Sequence, residues 1–180
     1  MSRCKVGDQM APRTVQDAEG QERPFPAPSG LTHLQVRRFA GCPICDRHLA
    51  PYVSRQSEIV AAGVTEVIVF KSTPAQVRRF EGDLPFVAVP DPDARWYAEL
   101  DVRSTPRALL HPKAVGAFLA GVVRARSVGG SLTLGDHLGL PADVLLDAEG
   151  MVLGCEYGTQ AADGWTVDRL LELAAAQVPG

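Results

Sequence analysis

Lysine is nearly missing from this 180-residue chain: Lys5, Lys71 and Lys113 are the only three, and every other basic residue is an arginine. Even with the arginines, 18 basic residues face 21 acidic ones, for a net charge of −3. No overall positive field exists to draw in a phosphate backbone, so nucleic acid is not an expected partner. Aromatic residues make up only 6%. No apolar run reaches the roughly 18 residues that a membrane span needs. The opening "MSRCKVGDQMAPRTVQDAEG" also lacks the apolar core of a signal peptide. A cytoplasmic protein without a membrane partner is therefore expected. Cysteine is scarce as well, with four residues at positions 4, 42, 45 and 155, too few and too unevenly spaced for a secreted disulfide scaffold. The remaining composition, 46% apolar and 22% charged, is that of one globular domain with a substantial core.

The first dozen residues show no hydrophobic periodicity and are expected to form a flexible arm, with a single domain over 13–180. Val15 and Phe25 flank a turn signal at Asp17 to Gly20, which predicts a small hairpin ended by "PFPAPSG". "LTHLQVRRF" alternates Leu34 and Val36 with polar neighbours and reads as a strand. A helix follows at once, with Cys42 at the N-cap, Pro43 at the first helical position, a kink expected at Pro51 and a stop at Gly63. "VTEVIVF" is a buried strand, "STPAQVRRFEGD" a helix capped by Ser72 or Thr73, "LPFVAVPD" a third strand and "PDARWYAELD" a third helix. The stretch at about 105–130 departs from this rhythm and reads as a helical insertion, a cover for the site or a face for a homodimer. After Pro141 come two apolar runs joined by Asp-Ala-Glu-Gly, a hairpin, and then a C-terminal helix opening on Thr166. This order predicts an α/β protein with a mixed sheet and helices on both faces. The member of that class with C-x-x-C at the first strand-to-helix turn is the thioredoxin-like fold.

The pair Cys42 and Cys45 carries the chemistry. A thiolate, not a thiol, attacks a disulfide or a peroxide, so a redox cysteine needs a lowered pKa. A helix N-terminus supplies unpaired N–H groups and the positive end of the dipole, and Arg37, Arg38 and Arg47 lie close enough in sequence to add positive potential. The competing readings are a pair of buried small hydrophobes or part of a metal site made with His48. Structural zinc wants a second ligand pair, and none is visible, so no metal or cofactor is assigned. His48 is read as the exposed face of a helix, and Cys155 as a packed strand residue. In a thioredoxin-like fold Pro141 is either cis and, with Leu140, a wall facing the cysteine loop, or an ordinary strand-initiating proline. Asp143 is either a buried proton acceptor or an edge residue.

The segments "RRFAGCPICDRHL", "EVIVFKST", "DLPFVAVPDPDARWYAELDV", "PRALLHP" and "GLPADVLLDAEGMVLGCEYG" together resemble bacterial peroxiredoxin-like (AhpC/TSA) proteins. The resemblance implies a thioredoxin fold and a thiol-dependent antioxidant role. The sequence departs from peroxiredoxins in two ways: Cys42 stands where their pattern has a threonine before the peroxide-reducing cysteine, and Pro141 where they hold a late arginine. Arg38 and Arg107 are the candidates to replace that arginine. By this resemblance Cys45 attacks and Cys42 resolves, whereas thioredoxin logic, in which the N-terminal and more exposed cysteine attacks, reverses the roles. The leading expectation is an oxidoreductase that reduces a small hydroperoxide through a Cys42/Cys45 dithiol-disulfide cycle, with electrons from a thioredoxin- or glutathione-type donor and support from Arg38, Pro43, Leu140 and Pro141. The alternatives are a thiol-disulfide oxidoreductase acting on protein disulfides, and a non-catalytic redox-sensing module.

Overall fold

The computed structural model describes residues 3–102, 139–160 and 162–177. The insertion expected at 105–130 lies outside them, as do Arg107, His111 and His137. A two-stranded antiparallel hairpin, β1 (Arg13–Gln16) and β2 (Glu22–Phe25), precedes the main sheet. β3 (Leu31–Arg37) leads into α1 (Pro43–Ser54) and α2 (Gln56–Ala61), then β4 (Val64–Phe70), α3 (Pro74–Glu81), β5 (Val87–Pro90) and α4 (Arg95–Glu99). β6 (Ala142–Leu146), β7 (Val152–Tyr157) and α5 (Val167–Ala175) complete the chain. The sheet order is β5-β4-β3-β6-β7. β3, β4 and β5 are mutually parallel, β6 pairs antiparallel with β3, and β7 pairs antiparallel with β6. This is the thioredoxin-like mixed sheet. No helix among the described residues is long and apolar enough to cross a membrane.

Local sequence accounts for most boundaries. Thr73 forms a capping box with Gln76 and is followed by Pro74, so α3 starts where its first N–H groups find partners. α1 runs on through Pro51, and the helix expected as one kinked rod instead divides at Arg55, which leaves the helical conformation at φ −113° and ψ 22° between α1 and α2. Leu34 and Val36 pack on one face of the sheet with Val67, Val144, Phe25 and Trp96, which brings the hairpin and α4 onto that side. On the other face, Tyr52 and Ile59 from α1 and α2 meet Leu145, Trp165 and Leu170. β3 is therefore central and covered on both sides.

The N-terminal arm departs from expectation. The amide of Gly7 donates to the Val152 carbonyl at 2.9 Å, Val152 donates to Asp8 at 2.9 Å, and Met10 donates to Gly150 at 2.8 Å. Backbone donors and acceptors lay this segment along the start of the outer strand β7, a form of docking that needs no side-chain periodicity.

Candidate redox site

β3 ends at Arg37, and residues 38–42 turn the chain into α1. Gly41 has φ +76°, and a Cβ there would lie 2.9 Å from Cγ of Phe80, so both conformation and space demand glycine. Neighbouring elements hold this turn. The Gly41 amide donates to Glu81 Oε1 at 2.7 Å, the Ala40 amide to Ser72 Oγ at 3.0 Å, and the Tyr97 hydroxyl to the Arg37 carbonyl at 2.9 Å. Cys42 then sits at the N-cap in extended conformation, Pro43 opens α1, and Cys45 lies in its first turn. Both sulfurs are free thiols, packed with Phe39 and Ile44 in one small cluster.

The two cysteines are electrostatically unlike. The Arg38 guanidinium donates to Cys42 Sγ at 2.8 Å. Cys45 is lowered to about 6, first by the hydrogen bond from the Cys42 thiol and, against the cost of burial, by the charge of Arg38, its backbone N–H and the charge of Arg37. Cys42 moves the opposite way, pushed up by burial and by the adjacent Cys45. Two acids stand close by. Burial and the Cys45 charge push Asp46 up to about 7, and burial and Asp46 push Glu81 up to about 8. Asp46 and Glu81 also line a recess of about 310 Å³ with Leu49, Ala50 and Phe80. Both carboxyls therefore change protonation at higher pH than an ordinary carboxyl, close to where the Cys45 thiolate forms.

On the other face of β3 lies a buried polar cluster that the sequence reading missed. Arg37 donates to Asp143 Oδ1 at 2.6 Å, to Gln35 Oε1 at 2.7 Å and to His48 Nε2 at 2.7 Å. An arginine can only donate, so His48 is a neutral imidazole accepting through Nε2; burial and the Arg37 charge lower it to about 3. His48, expected on an exposed helix face, is half-buried and turned toward Arg37, not toward a metal shared with the cysteines. His33 contacts Glu66 at 3.0 Å and Asp143 at 3.2 Å. Burial opposes its charge, yet these carboxylates raise it to about 9. Asp143 is thus a buried ionised partner, held well below the usual carboxylate range by Arg37 and His33 despite burial. Polar residues at 33, 35 and 37 in one strand were the available signal.

Other expected positions fall elsewhere. The cis peptide among the described residues is Phe25–Pro26, so Leu140–Pro141 is trans. Leu140 packs in the cluster with Tyr97 and Ala142, separate from the one that holds the cysteines. Arg47 is exposed and lines a cleft of about 720 Å³ beside Ile44, with His48, Tyr52 and Trp165. Among the described residues no group of three or more His, Cys, Asp and Glu is arranged to hold a metal ion.

The sheet order, with the cysteine pair at the first strand-to-helix junction, is that of a thioredoxin-like fold. Solved structures agree on the fold. The peroxidoxin BcpB of Mycobacterium tuberculosis superposes with a TM-score of 0.65 at 17% identity, over 97% of this chain and 99% of that one. A cysteine mutant of peroxiredoxin Q from Xanthomonas campestris gives 0.65 at 15% identity, with 92% of each chain covered. Peroxiredoxin 6 of Arenicola marina gives 0.69 at 11%, over 97% of this chain and 76% of that one. Neither a protein-family model nor a curated protein matches the sequence.

Proposed function

We propose that the protein is a thiol peroxidase in which Cys45 is the attacking thiolate and Cys42 the resolving thiol. The observation that carries this is the asymmetry of the pair: Cys45 collects the hydrogen bonds and positive charge that favour its ionised form, and Cys42 donates to it. The thioredoxin-type argument for Cys42 rests on greater exposure, and here Cys42 is 1% exposed against 4% for Cys45. The Cys45 thiolate attacks one oxygen of a hydroperoxide ROOH. The O–O bond breaks, an S–O bond forms, and ROH leaves after taking a proton, for which Asp46 is placed. The sulfur of Cys42 then displaces the oxygen of the Cys45 sulfenic acid as water and forms the disulfide. One dithiol donor of the thioredoxin type, or two monothiols of the glutathione type, then return two electrons and two protons, and the donor is left as a disulfide. Arg38, already on Cys42, is the group placed to orient the peroxide. Free thiols of this kind suit a reducing compartment such as the cytoplasm.

Intact mass after stoichiometric hydrogen peroxide, followed in time, tests this. The wild type loses two hydrogens, Cys42→Ser accumulates a sulfenic acid on Cys45, and Cys45→Ser does not react quickly. A sulfenic acid trapped on Cys42 instead would reverse the roles. Indifference to peroxide with prompt oxidation by a small disulfide would favour the second reading, exchange with protein disulfides. The cleft beside Ile44, with Tyr52 and Trp165 in its wall, is a surface on which an extended peptide could lie for that reaction.

A further inference from the structure

Cys4 and Cys155 lie outside the site just described. Cys155 is on the outer strand β7, opposite Val144 of β6, which in turn pairs with Leu34 of β3. Its thiol donates to the carbonyl oxygen of Cys4 at 3.1 Å. The Tyr157 hydroxyl donates to Cys4 Sγ at 3.2 Å and accepts from the Cys4 amide at 2.9 Å. The Arg3 guanidinium rests over the Tyr157 ring, 4.7 Å from its centroid. Two half-buried free thiols thus share one small contact, where the N-terminal segment crosses β7. Burial and the neighbouring Cys4 thiol push Cys155 up to about 11.

We propose that Cys4 and Cys155 are a second redox pair, which oxidises to an intramolecular disulfide and latches the N-terminal segment onto β7. Upstream of Gly7 the segment is held at β7 by the contacts of Arg3 and Cys4, whereas residues 7–10 are held by main-chain bonds. A bond between the sulfurs makes the first of these attachments covalent. The Cys155 sulfur already lies 3.1 Å from the Cys4 carbonyl oxygen, so the two side chains spring from backbone segments close enough for rotation about their Cα–Cβ bonds to bring the sulfurs together. In the reaction each thiol gives up one proton and one electron. A hydroperoxide serves as oxidant: its O–O bond breaks to give alcohol and water as the S–S bond forms. With both thiols free the segment already lies along β7, so the disulfide would make that cover of the outer strand covalent under oxidising conditions.

The test uses the full chain carrying Cys42→Ser and Cys45→Ser, treated with diamide, which takes two hydrogens from a dithiol without peroxide chemistry. The expected result is a monomer lighter by two hydrogens, one digest product linking the Cys4 and Cys155 peptides, and a melting temperature several degrees above that of the reduced form. Adding Cys4→Ser or Cys155→Ser should abolish all three. Complete alkylation of both sulfurs after diamide, or a Cys4–Cys155 link found only in covalent dimers, would overturn the proposal. If the doubly substituted chain does not fold, the same digest of the wild type separates a 4–155 link from a 42–45 link. Because diamide replaces peroxide, failure of the peroxidase reading leaves this result unaffected.

Discussion

Replacing Arg38 with methionine keeps much of the side-chain volume and removes the charge beside both sulfurs. At an effective dielectric of about 20, two unit charges about 4 Å apart interact by about 4 kcal/mol, equivalent to about three pKa units. Water entering the altered site offsets part of this, which leaves a shift of about two units. Cys45 should move from about 6 to the region of 8. The midpoint is read from the ultraviolet absorbance of the thiolate, or from the pH dependence of alkylation. The rates carry a second signature. A more basic thiolate is intrinsically more nucleophilic, with a Brønsted slope of about 0.4–0.5, so the alkylation plateau at high pH should rise several-fold. Peroxide reduction should fall instead, because Arg38 also orients the peroxide. Arg38→Lys should restore most of the midpoint, since the charge returns without the planar fork. A midpoint that stays near 6 in Arg38→Met would refute the electrostatic account of Cys45.

Asp46→Asn removes a carboxyl whose ionised form opposes the Cys45 thiolate, so the Cys45 midpoint should drop by about half a unit to one unit; a pH profile of peroxide consumption should also lose its limb near 7. Gly41→Ala forces a side chain into a left-handed conformation and against Phe80, at a cost of about 2–3 kcal/mol, and calorimetry should show the melting temperature lower by about 4–10 °C. His33 has a folded pKa raised to about 9 against about 6.5 unfolded, so its contribution is complete below about 6.5 and is lost as pH rises through about 9. Denaturant titrations across that window should show a loss approaching about 3 kcal/mol, absent in a variant without the imidazole. Asp143→Ala leaves the buried Arg37 charge without its carboxylate and should cost about 3–5 kcal/mol, read in the same titration.

Which parts of this were legible follows from how each feature is encoded. β4 and α3 are bounded by Gly63, Thr73 and Pro74, residues whose local geometry acts whatever the surroundings, and the structure puts their ends where those residues predict. The buried cluster is encoded differently. His33, Gln35 and Arg37 alternate with Leu34 and Val36, which is the pattern of a strand with one wet face. Tyr52 of α1 and Trp165, packed over His33, make that face dry, and the sheet order supplies its polar partners. β3 lies between β4 and β6, and the register sets His33 opposite Glu66 and Gln35 opposite Asp143, so the carboxylate partners come from strands distant in sequence. Glu81 was hidden in the same way: one turn after Val77 on a short helix, it reads as surface until the cysteine turn is laid over it.

The adjacent arginines at the end of β3 show how this register serves the site. Arg37 is the last residue of β3 and Arg38 the first of the turn, and the two side chains leave the chain in different directions. Arg37 turns toward Asp143, Gln35 and His48, and its hydrogen bonds there fix the end of the strand without directing a donor at either sulfur. It reaches Cys45 through charge alone. Arg38 turns toward the loop and donates to Cys42 directly. The roles are separable: Arg37→Met should unfold the end of β3 and lower stability, because it strands Asp143 in the interior. Arg38→Met should leave the fold standing and shift the thiolate. A Cys45 midpoint that responded equally to both substitutions at matched stability would mean that the sulfur senses summed positive charge, not the donor geometry built by the turn at Gly41.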